Sequence, residues 1–262
     1  MPTSALHVAR TGLEAQDTRM QVIAHNLANI GTTGFKRDRA DFETLAYRDA
    51  RVAGQRSTGE TAYAVGLNLG TGVSVQGTTR IEAQGTLNTT GNALDLALDG
   101  DGFFQVALPD GSTAYTRAGN FTRSADGTLV TAQGFALEPQ ITVPEGAQAI
   151  AVAPDGTVSA VLEGESAPAE LGQITIARFA NPAGLRAVGD NLLVETAASG
   201  TAEVAAAGTE GRGAIRQGML EASNVNVVEE LVAMIEAQRA YEINSKMISA
   251  VDEMLRNANQ TL

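Results

Sequence analysis

The sequence predicts an α+β chain in which long N- and C-terminal α-helices form a coiled-coil-like helical domain, with a central, mostly antiparallel β domain. Two observations predict it. At each end apolar residues return every seven positions, as Leu6, Leu13, Met20 and Leu27 and as Val227, Met234, Tyr241, Ile248, Leu255 and Leu262. That step is the narrow seam of helices that supercoil about partners, thinner than the face a globular-core helix buries. Between the ends, short strand-like runs are punctuated by Asp-Gly turns at Asp99, Asp101, Asp110, Asp126 and Asp155, the pattern of successive hairpins.

The first helix is predicted over residues 4–29, with Thr3 or Ser4 as N-cap and Gly31 as the left-handed residue beyond its end. At 1.5 Å per residue it is about 40 Å long. Ala9, Ile23 and Ile30 fall three positions after seam residues and widen the stripe, while Gln16 interrupts it. Residues 54–77, rich in Gly and Thr, and residues 208–218, rich in Gly, read as extended connectors.

Between the connectors, residues 103–108 and 113–117 form a hairpin about Pro109-Asp110-Gly111, and residues 121–124 and 128–131 form another about Asp126-Gly127. Gly119-Asn120 joins two strand-like runs, and later strands fall at 149–153, 157–162, 173–179 and 191–195. The predicted organisation is an N-terminal helical assembly segment (1–35), a connector with an insertion (36–81), an outer β domain (82–210), a return connector (211–223) and a C-terminal helical assembly segment (224–262).

The C-terminal helix starts at Asn226, whose amide caps the first turn while Glu229 reaches back as in a capping box. Glu229 and Glu230 also suit the positive end of the helix dipole. Glu242 with Lys246 and Asp252 with Arg256 are acid-first i,i+4 pairs, each contributing about 0.2–0.5 kcal/mol on a solvated face. Leu231, Ile235, Met247, Val251 and Met254 add a second apolar row, so this helix is expected to have neighbours on more than one side. Stripes this thin hold two isolated helices weakly, so the ends are expected to gain order when copies of the chain cover them. A conventional two-helix core inside one subunit is the competing reading of the seam.

The 30 acidic and 18 basic side chains leave a net charge of −12, which repels nucleic-acid phosphates and anionic lipid. The chain has no cysteine, hence no disulfide and no thiolate ligand. No basic cluster leads an apolar run at the N-terminus and no run is long enough to span a bilayer, so neither a cleavable signal nor a membrane segment is expected. His7 and His25 lie 18 positions apart on one predicted helix, too far to share a metal. No phosphate-cradling glycine motif occurs. Asp99-Gly100-Asp101-Gly102 resembles part of a calcium loop but lacks its closing ligands. Asp95, Asp99 and Asp101 could sit close enough for sugar hydrolysis, yet strand ends and turns explain them better. A secreted cell-wall-acting enzyme and a calcium-dependent adhesion module therefore compete with assembly, and neither accounts for two long seamed helices. No catalytic residue, metal site or cofactor is expected.

The run Asn26-Leu27-Ala28-Asn29-Ile30-Gly31-Thr32-Thr33-Gly34-Phe35-Lys36 resembles the N-terminal signature of bacterial flagellar rod and hook proteins. Gly31 and Gly34 permit left-handed turns there, and Phe35 can anchor the exit. The same family is matched by Gly70-Thr71-Gly72-Val73, Gln84-Gly85-Thr86-Leu87, Thr90-Gly91-Asn92, Leu94-Asp95-Leu96, Gly100-Asp101-Gly102-Phe103-Phe104 and Tyr115-Thr116-Arg117-Ala118-Gly119-Asn120-Phe121. Towards the C-terminus it is matched by Gly218-Met219-Leu220-Glu221-Ala222-Ser223-Asn224-Val225-Asn226, by residues 234–242 and by Asn244-Ser245-Lys246.

The resemblance implies a mechanical subunit that stacks into a hollow helical tube, with terminal helices inside and the β domain outside, passing torque from motor to hook. The chain lacks the larger outer insertion of hook members, and residues 47–66 are similar in position to an insertion of members that build the distal rod. Proximal rod and hook members of the family are the alternatives. Implied partners are further copies in an open helical polymer, proximal rod proteins at one end and hook protein at the other. The peptidoglycan-level and outer-membrane-level rings and the export apparatus complete the set, with no nucleic acid or direct lipid binding. The implied location is the basal body from periplasm to outer membrane, reached without a cleaved signal. The residues expected to carry assembly are Leu6, Leu13, Met20, Asn26, Leu27, Asn29, Gly34, Phe35, Lys36, Val227, Met234, Arg239, Tyr241, Lys246, Ile248 and Leu255.

Overall fold

The computed structural model describes residues 2–56, 63–162 and 167–260, and the chain is α+β, with a helix near each end and a sheet-rich middle. The first helix, α1, is Pro2–Ala28. It starts ahead of the expected cap because Pro2, with its fixed φ and missing N–H, suits a first turn. Beyond its end the Asn29 carbonyl accepts the Thr32 N–H (3.1 Å) and the Asn29 side chain accepts the Thr32 hydroxyl (3.0 Å). The left-handed glycine is Gly34 (φ 67°), not Gly31. A Cβ on Gly34 would also lie 2.6 Å from the Arg117 carbonyl carbon, so the position excludes a side chain twice over.

The second helix, α2, is Val227–Gln260. Asn226 Oδ1 accepts the Val228 N–H (3.1 Å), and Asn226 Nδ2 donates to Glu229 Oε1 (3.1 Å). The cap is the expected one, with the glutamate meeting the side-chain amide instead of the backbone. Among the described residues the charge pairs predicted on α2 do not close, whereas an i,i+4 bridge joins Arg10 and Glu14 (3.3 Å) on α1.

The chain divides into two compact units. One contains Met1–Leu27, Asp38–Thr79 and Asn226–Leu262. In it the helices run antiparallel: Asn26 meets Glu230 (3.3 Å), Arg19 meets Glu236 (3.5 Å), and a Cβ on Gly12 would lie 3.2 Å from the Asn244 amide nitrogen. The stretch read as a connector is a ribbon. Asp38–Thr44 pairs with Val73–Arg80, and Tyr47–Arg51 pairs antiparallel with Leu67–Gly70. Gly54 donates to the Tyr63 carbonyl (2.8 Å), Tyr63 donates to that of Gln55 (2.9 Å), and the Arg51 guanidinium lies 4.1 Å over the Tyr63 ring. Of the insertion expected at 47–66, residues 57–62 lie outside the described residues. Gly and Thr gave this stretch a linker's composition, but alternating Leu67, Leu69, Val73 and Val75 let it form strands.

The other unit contains Ala28–Arg37 and Arg80–Val225. Its main sheet has nine strands, in the order Arg186–Gly189, Leu192–Val194, Thr113–Thr116, Phe103–Ala107, Ala136–Glu138, Leu129–Val130 and Thr122–Arg123, with Thr175–Arg178 bridging Phe103–Ala107 and Glu203–Ala206. The pairings are antiparallel. Ala147–Val152, Thr157–Leu162 and Ala169–Gln173 form a separate three-stranded sheet. The single strand expected at 173–179 is therefore two, and buried Ile174 marks where the chain changes sheets, its N–H donating to the Gly156 carbonyl (2.8 Å).

Ala214–Gln217 pairs with Leu96–Asp99, so residues 208–218 are part of the body and not a loose return. Gly119-Asn120 is likewise not a hairpin turn. Gly119 accepts the Leu96 N–H (2.9 Å), and a Cβ at this position would overlap the Leu96 carbonyl oxygen. Leu96, Leu98, Phe104, Val106, Phe121, Leu129, Leu137, Ile141, Ile174, Ile176 and Ile215 form the core, with Phe104 edge-on to Phe121 at 5.3 Å. Each such side chain removed from water stabilises the body by about 1.5–3 kcal/mol.

Candidate assembly surface and buried charge cluster

The surface between α1 and α2 is made of small and polar side chains. Ala9, Ala15, Ile23 and Asn26 are buried on α1, and Glu230, Ala237 and Val251 on α2. Gly12 and Asn244 add a close approach, and Gln16 leaves its Oε1 buried without a partner. Thr11, also buried, accepts the Val73 N–H (3.4 Å) from the ribbon. The expected seam residues Leu6, Leu13, Met20 and Leu27 are only half-buried, as are Met234, Tyr241, Ile248 and Leu255. Val227, Arg239 and Lys246 are exposed.

Part of the remaining surface of α2 is an exposed apolar row. Val228 is 68% exposed, Leu231 43%, Val232 51% and Ile235 51%, and their spacing of three and four places them on one side of the helix. Ile243, Met247 and Met254 continue the exposure towards the C-terminus. Of the predicted second row, Leu231, Ile235, Met247 and Met254 face outward, and only Val251 turns inward. Covering half-exposed side chains of this size would contribute on the order of 1 kcal/mol each.

Asn26 pairs with the chain just after the first helix, accepting the Asp38 N–H (2.9 Å) and donating to the Asp38 carbonyl (2.8 Å). Gly34, Phe35 and Lys36, predicted at the assembly surface, are buried in the β-rich unit. Gly34 N–H donates to the Glu221 carbonyl (2.8 Å), and Lys36 Nζ donates to Glu221 Oε1 (2.6 Å) and to the Ala83 carbonyl (2.9 Å). Glu221 Oε1 also accepts the Gly85 N–H (2.8 Å), and Oε2 faces Arg117 Nη1 (3.4 Å). The side chains of Lys36 and Glu221 are 3% and 0% exposed. Asn224 completes the cluster, accepting the Arg37 N–H (2.7 Å) and donating to the carbonyls of Ile81 (2.8 Å) and Ala83 (2.9 Å).

Burial pushes the Lys36 ammonium below its ordinary pKa, and the nearby Arg117 charge adds to this; the hydrogen bond and charge of Glu221 work against it. Sequence reading singled out Lys36 but not Glu221 or Arg117 beside it, nor Asn224, which braces the adjoining backbone. The available signal was that Lys36, Arg117 and Glu221 each lie in a block of the family-like pattern, with Asn224 in the same block as Glu221.

Of the carboxylates considered for chemistry, Asp95 accepts from the Thr90 hydroxyl (2.6 Å) and Asn92 Nδ2 (3.0 Å), and Asp99 pairs with Arg216 (3.0 Å). Among the described residues no three His, Cys, Asp or Glu side chains gather as metal ligands, and no helix is long and apolar enough to cross a membrane.

Three family models match the sequence: "Flagella basal body rod protein" over residues 6–36, "Flagellar hook protein FlgE/F/G D1 domain" over 97–160, and "Flagellar basal body rod FlgEFG protein C-terminal" over 216–261. The chain is similar to the flagellar basal-body rod protein FlgG of Buchnera aphidicola subsp. Acyrthosiphon pisum, with 49% identity over 256 residues and 98% of each chain covered. It is 46% identical to FlgG of Caulobacter vibrioides over 257 residues, again covering 98% of each. The flagellar basal-body rod protein FlgF of the same organism is 35% identical over 266 residues, covering 99% of this chain and 98% of that one.

Proposed function

Because the chain belongs to the flagellar basal-body rod protein family, we propose that it is a structural subunit of the distal rod, polymerising into a rigid hollow helical shaft that transmits torque from motor to hook. The observation that carries this reading is the uncovered apolar face of α2, a long helix whose opposite face is already occupied by α1 within the same chain. A surface that meets a different surface on the next copy, with no rotation that closes the ring, builds an open helical polymer. The helices of neighbouring copies then pack in coiled-coil-like fashion along the row from Val228 to Ile235, flanked by Val227, Arg239 and Lys246. The half-covered rows of Leu6, Leu13, Met20 and Leu27 and of Met234, Tyr241, Ile248 and Leu255 form its margins.

Higher identity to FlgG than to FlgF of one organism supports the distal over the proximal position. In this reading the subunit follows proximal rod proteins and precedes the hook. It turns inside the peptidoglycan-level and outer-membrane-level rings and reaches the basal body through the flagellar export apparatus. Rigidity comes from many lateral contacts, since one contact of this kind is worth about 1 kcal/mol. Electron micrographs of the purified protein, concentrated at neutral pH, should show straight tubes. Curved tubes would point to a hook-like subunit, and persistently dispersed monomers would defeat the proposal.

A further inference from the structure

The Asp-Gly pairs at Asp99, Asp101, Asp110, Asp126 and Asp155 are chemically alike, but the fold treats one of them differently. In such a pair the glycine amide nitrogen can attack the aspartate Cγ, because glycine has no Cβ to hinder the approach. Two contacts oppose the attack: a partner that holds the carboxylate, and an acceptor that holds the glycine N–H, since that bond must break before the nitrogen reacts. Asp99 is held by Arg216 (3.0 Å), and the Gly100 N–H donates to Gln84 Oε1 (3.1 Å). Asp110 accepts the Ser112 N–H (2.9 Å) and hydroxyl (2.6 Å), while Gly111 donates to the Leu108 carbonyl (3.0 Å). Asp155 accepts the Thr157 N–H (3.1 Å) and hydroxyl (3.1 Å), while Gly156 donates to the Ala153 carbonyl (2.9 Å). At Asp126 the Gly127 N–H donates to the Ser124 carbonyl (3.0 Å).

Asp101-Gly102 carries neither restraint. Among the described residues no donor meets the Asp101 carboxylate and no acceptor meets the Gly102 N–H. The Asp101 side chain is exposed, and Asp101 and Gly102 both line an open pit beside Phe103 and Phe179, so water reaches the pair. The Asp101 carbonyl accepts the Gly213 N–H (2.7 Å). That bond polarises the amide whose nitrogen belongs to Gly102 and eases loss of its proton.

We propose that Asp101 is a site of spontaneous isoaspartate formation in the folded protein. The Gly102 nitrogen bonds to Asp101 Cγ and gives up its proton, and the carboxyl oxygen leaves as water, closing a five-membered succinimide. Water then adds at the former main-chain carbonyl and breaks its bond to the Gly102 nitrogen, so the chain now runs through the aspartate side chain. One water leaves and one returns, so the mass is unchanged, but the main chain is longer by one methylene. The insertion falls between two glycines packed without slack: a Cβ on Gly100 would lie 2.9 Å from Gly213 Cα, and one on Gly102 would overlap Ile176 Cγ2. The product therefore loosens the entry to the Phe103–Ala107 strand. The inference is independent of the rod assignment.

The test is to age the full-length protein at neutral pH, folded and in parallel in urea. Isoaspartate is measured by transfer of labelled methyl groups from an isoaspartyl methyltransferase and placed by electron-transfer fragmentation of proteolytic peptides. In the folded protein it should accumulate at residue 101 several-fold faster than at 99, 110, 126 or 155, and in urea the rates should converge. No isoaspartate at 101 in the time the urea-treated chain forms it, or a faster rate at another of these positions, would overturn the proposal. A lead for residue 101 that persists in urea would also overturn it, by assigning the lead to local sequence instead of the fold. A folded Asp101→Glu protein should lose most of the label, and retention of the label there would place the reaction elsewhere.

Discussion

At the scale of single residues, the chain places its strongest electrostatic commitment at Glu221, which serves Lys36, Arg117 and the Gly85 N–H at once. A buried ion group is weak evidence for net stability, but removing one partner strands the others in a medium that solvates them poorly. Glu221→Gln should therefore destabilise the β-rich unit by about 3–5 kcal/mol, measured as a lower urea midpoint. A loss within about 0.5 kcal/mol, typical of a neutral surface change, would show that the cluster is not coupled as described.

Lys36 supplies a signed pH dependence. Its folded pKa lies below the unfolded value of 10.5. Between those two pKa values the unfolded chain holds more protons, so the cost of burying the ammonium is relieved as pH rises through the interval and stability climbs. Relative to Lys36→Met, the unsubstituted protein should gain stability as pH approaches 10.5, and parallel stability curves for the two would contradict the assignment. The sequence marked Lys36 through its neighbours Gly34 and Phe35. Its counter-ion could not be read, because 185 residues separate the partners and nothing in local pattern encodes a contact that distant.

At the scale of elements, the two helices were legible because caps and apolar spacing are local. Asn226 caps α2 as the sequence indicates, and Pro2–Ala28 and Val227–Gln260 span the predicted stretches. The row that lies between them was not legible. Gly12, Ala237, Asn244 and Glu230 occupy it, and small or polar residues carry no hydrophobic signal to set against the adjacent leucine row. The 47–70 ribbon was hidden for a related reason: Gly and Thr supply the composition of a linker, while pairing of Tyr47–Arg51 with Leu67–Gly70 depends on long-range register.

The exposed row of α2 yields a prediction at this scale. Leu231→Asp with Ile235→Asp should leave helix content and melting nearly unchanged, within about 0.5 kcal/mol per site as for surface substitutions. The double variant should nevertheless fail to sediment at concentrations where the unsubstituted protein polymerises. Normal polymerisation of the variant would remove this face from the interface, and loss of helix content would mean that it packs within the single chain instead.

For the whole molecule, two compact units divide the labour. The β-rich unit closes its own core around Phe104, Phe121, Leu137 and Ile176, whereas the helical unit keeps a small-residue seam inside and large apolar residues outside. That inversion of the usual order is what the proposed lateral packing requires: in that reading the apolar surface of α2 is covered by neighbouring copies.

The most direct measurement is a cryo-electron microscopy reconstruction of the assembled protein at side-chain resolution. The account predicts that Val228, Leu231, Val232 and Ile235 are covered by helices of adjacent copies. A polymer in which those four side chains remain in contact with water would contradict it.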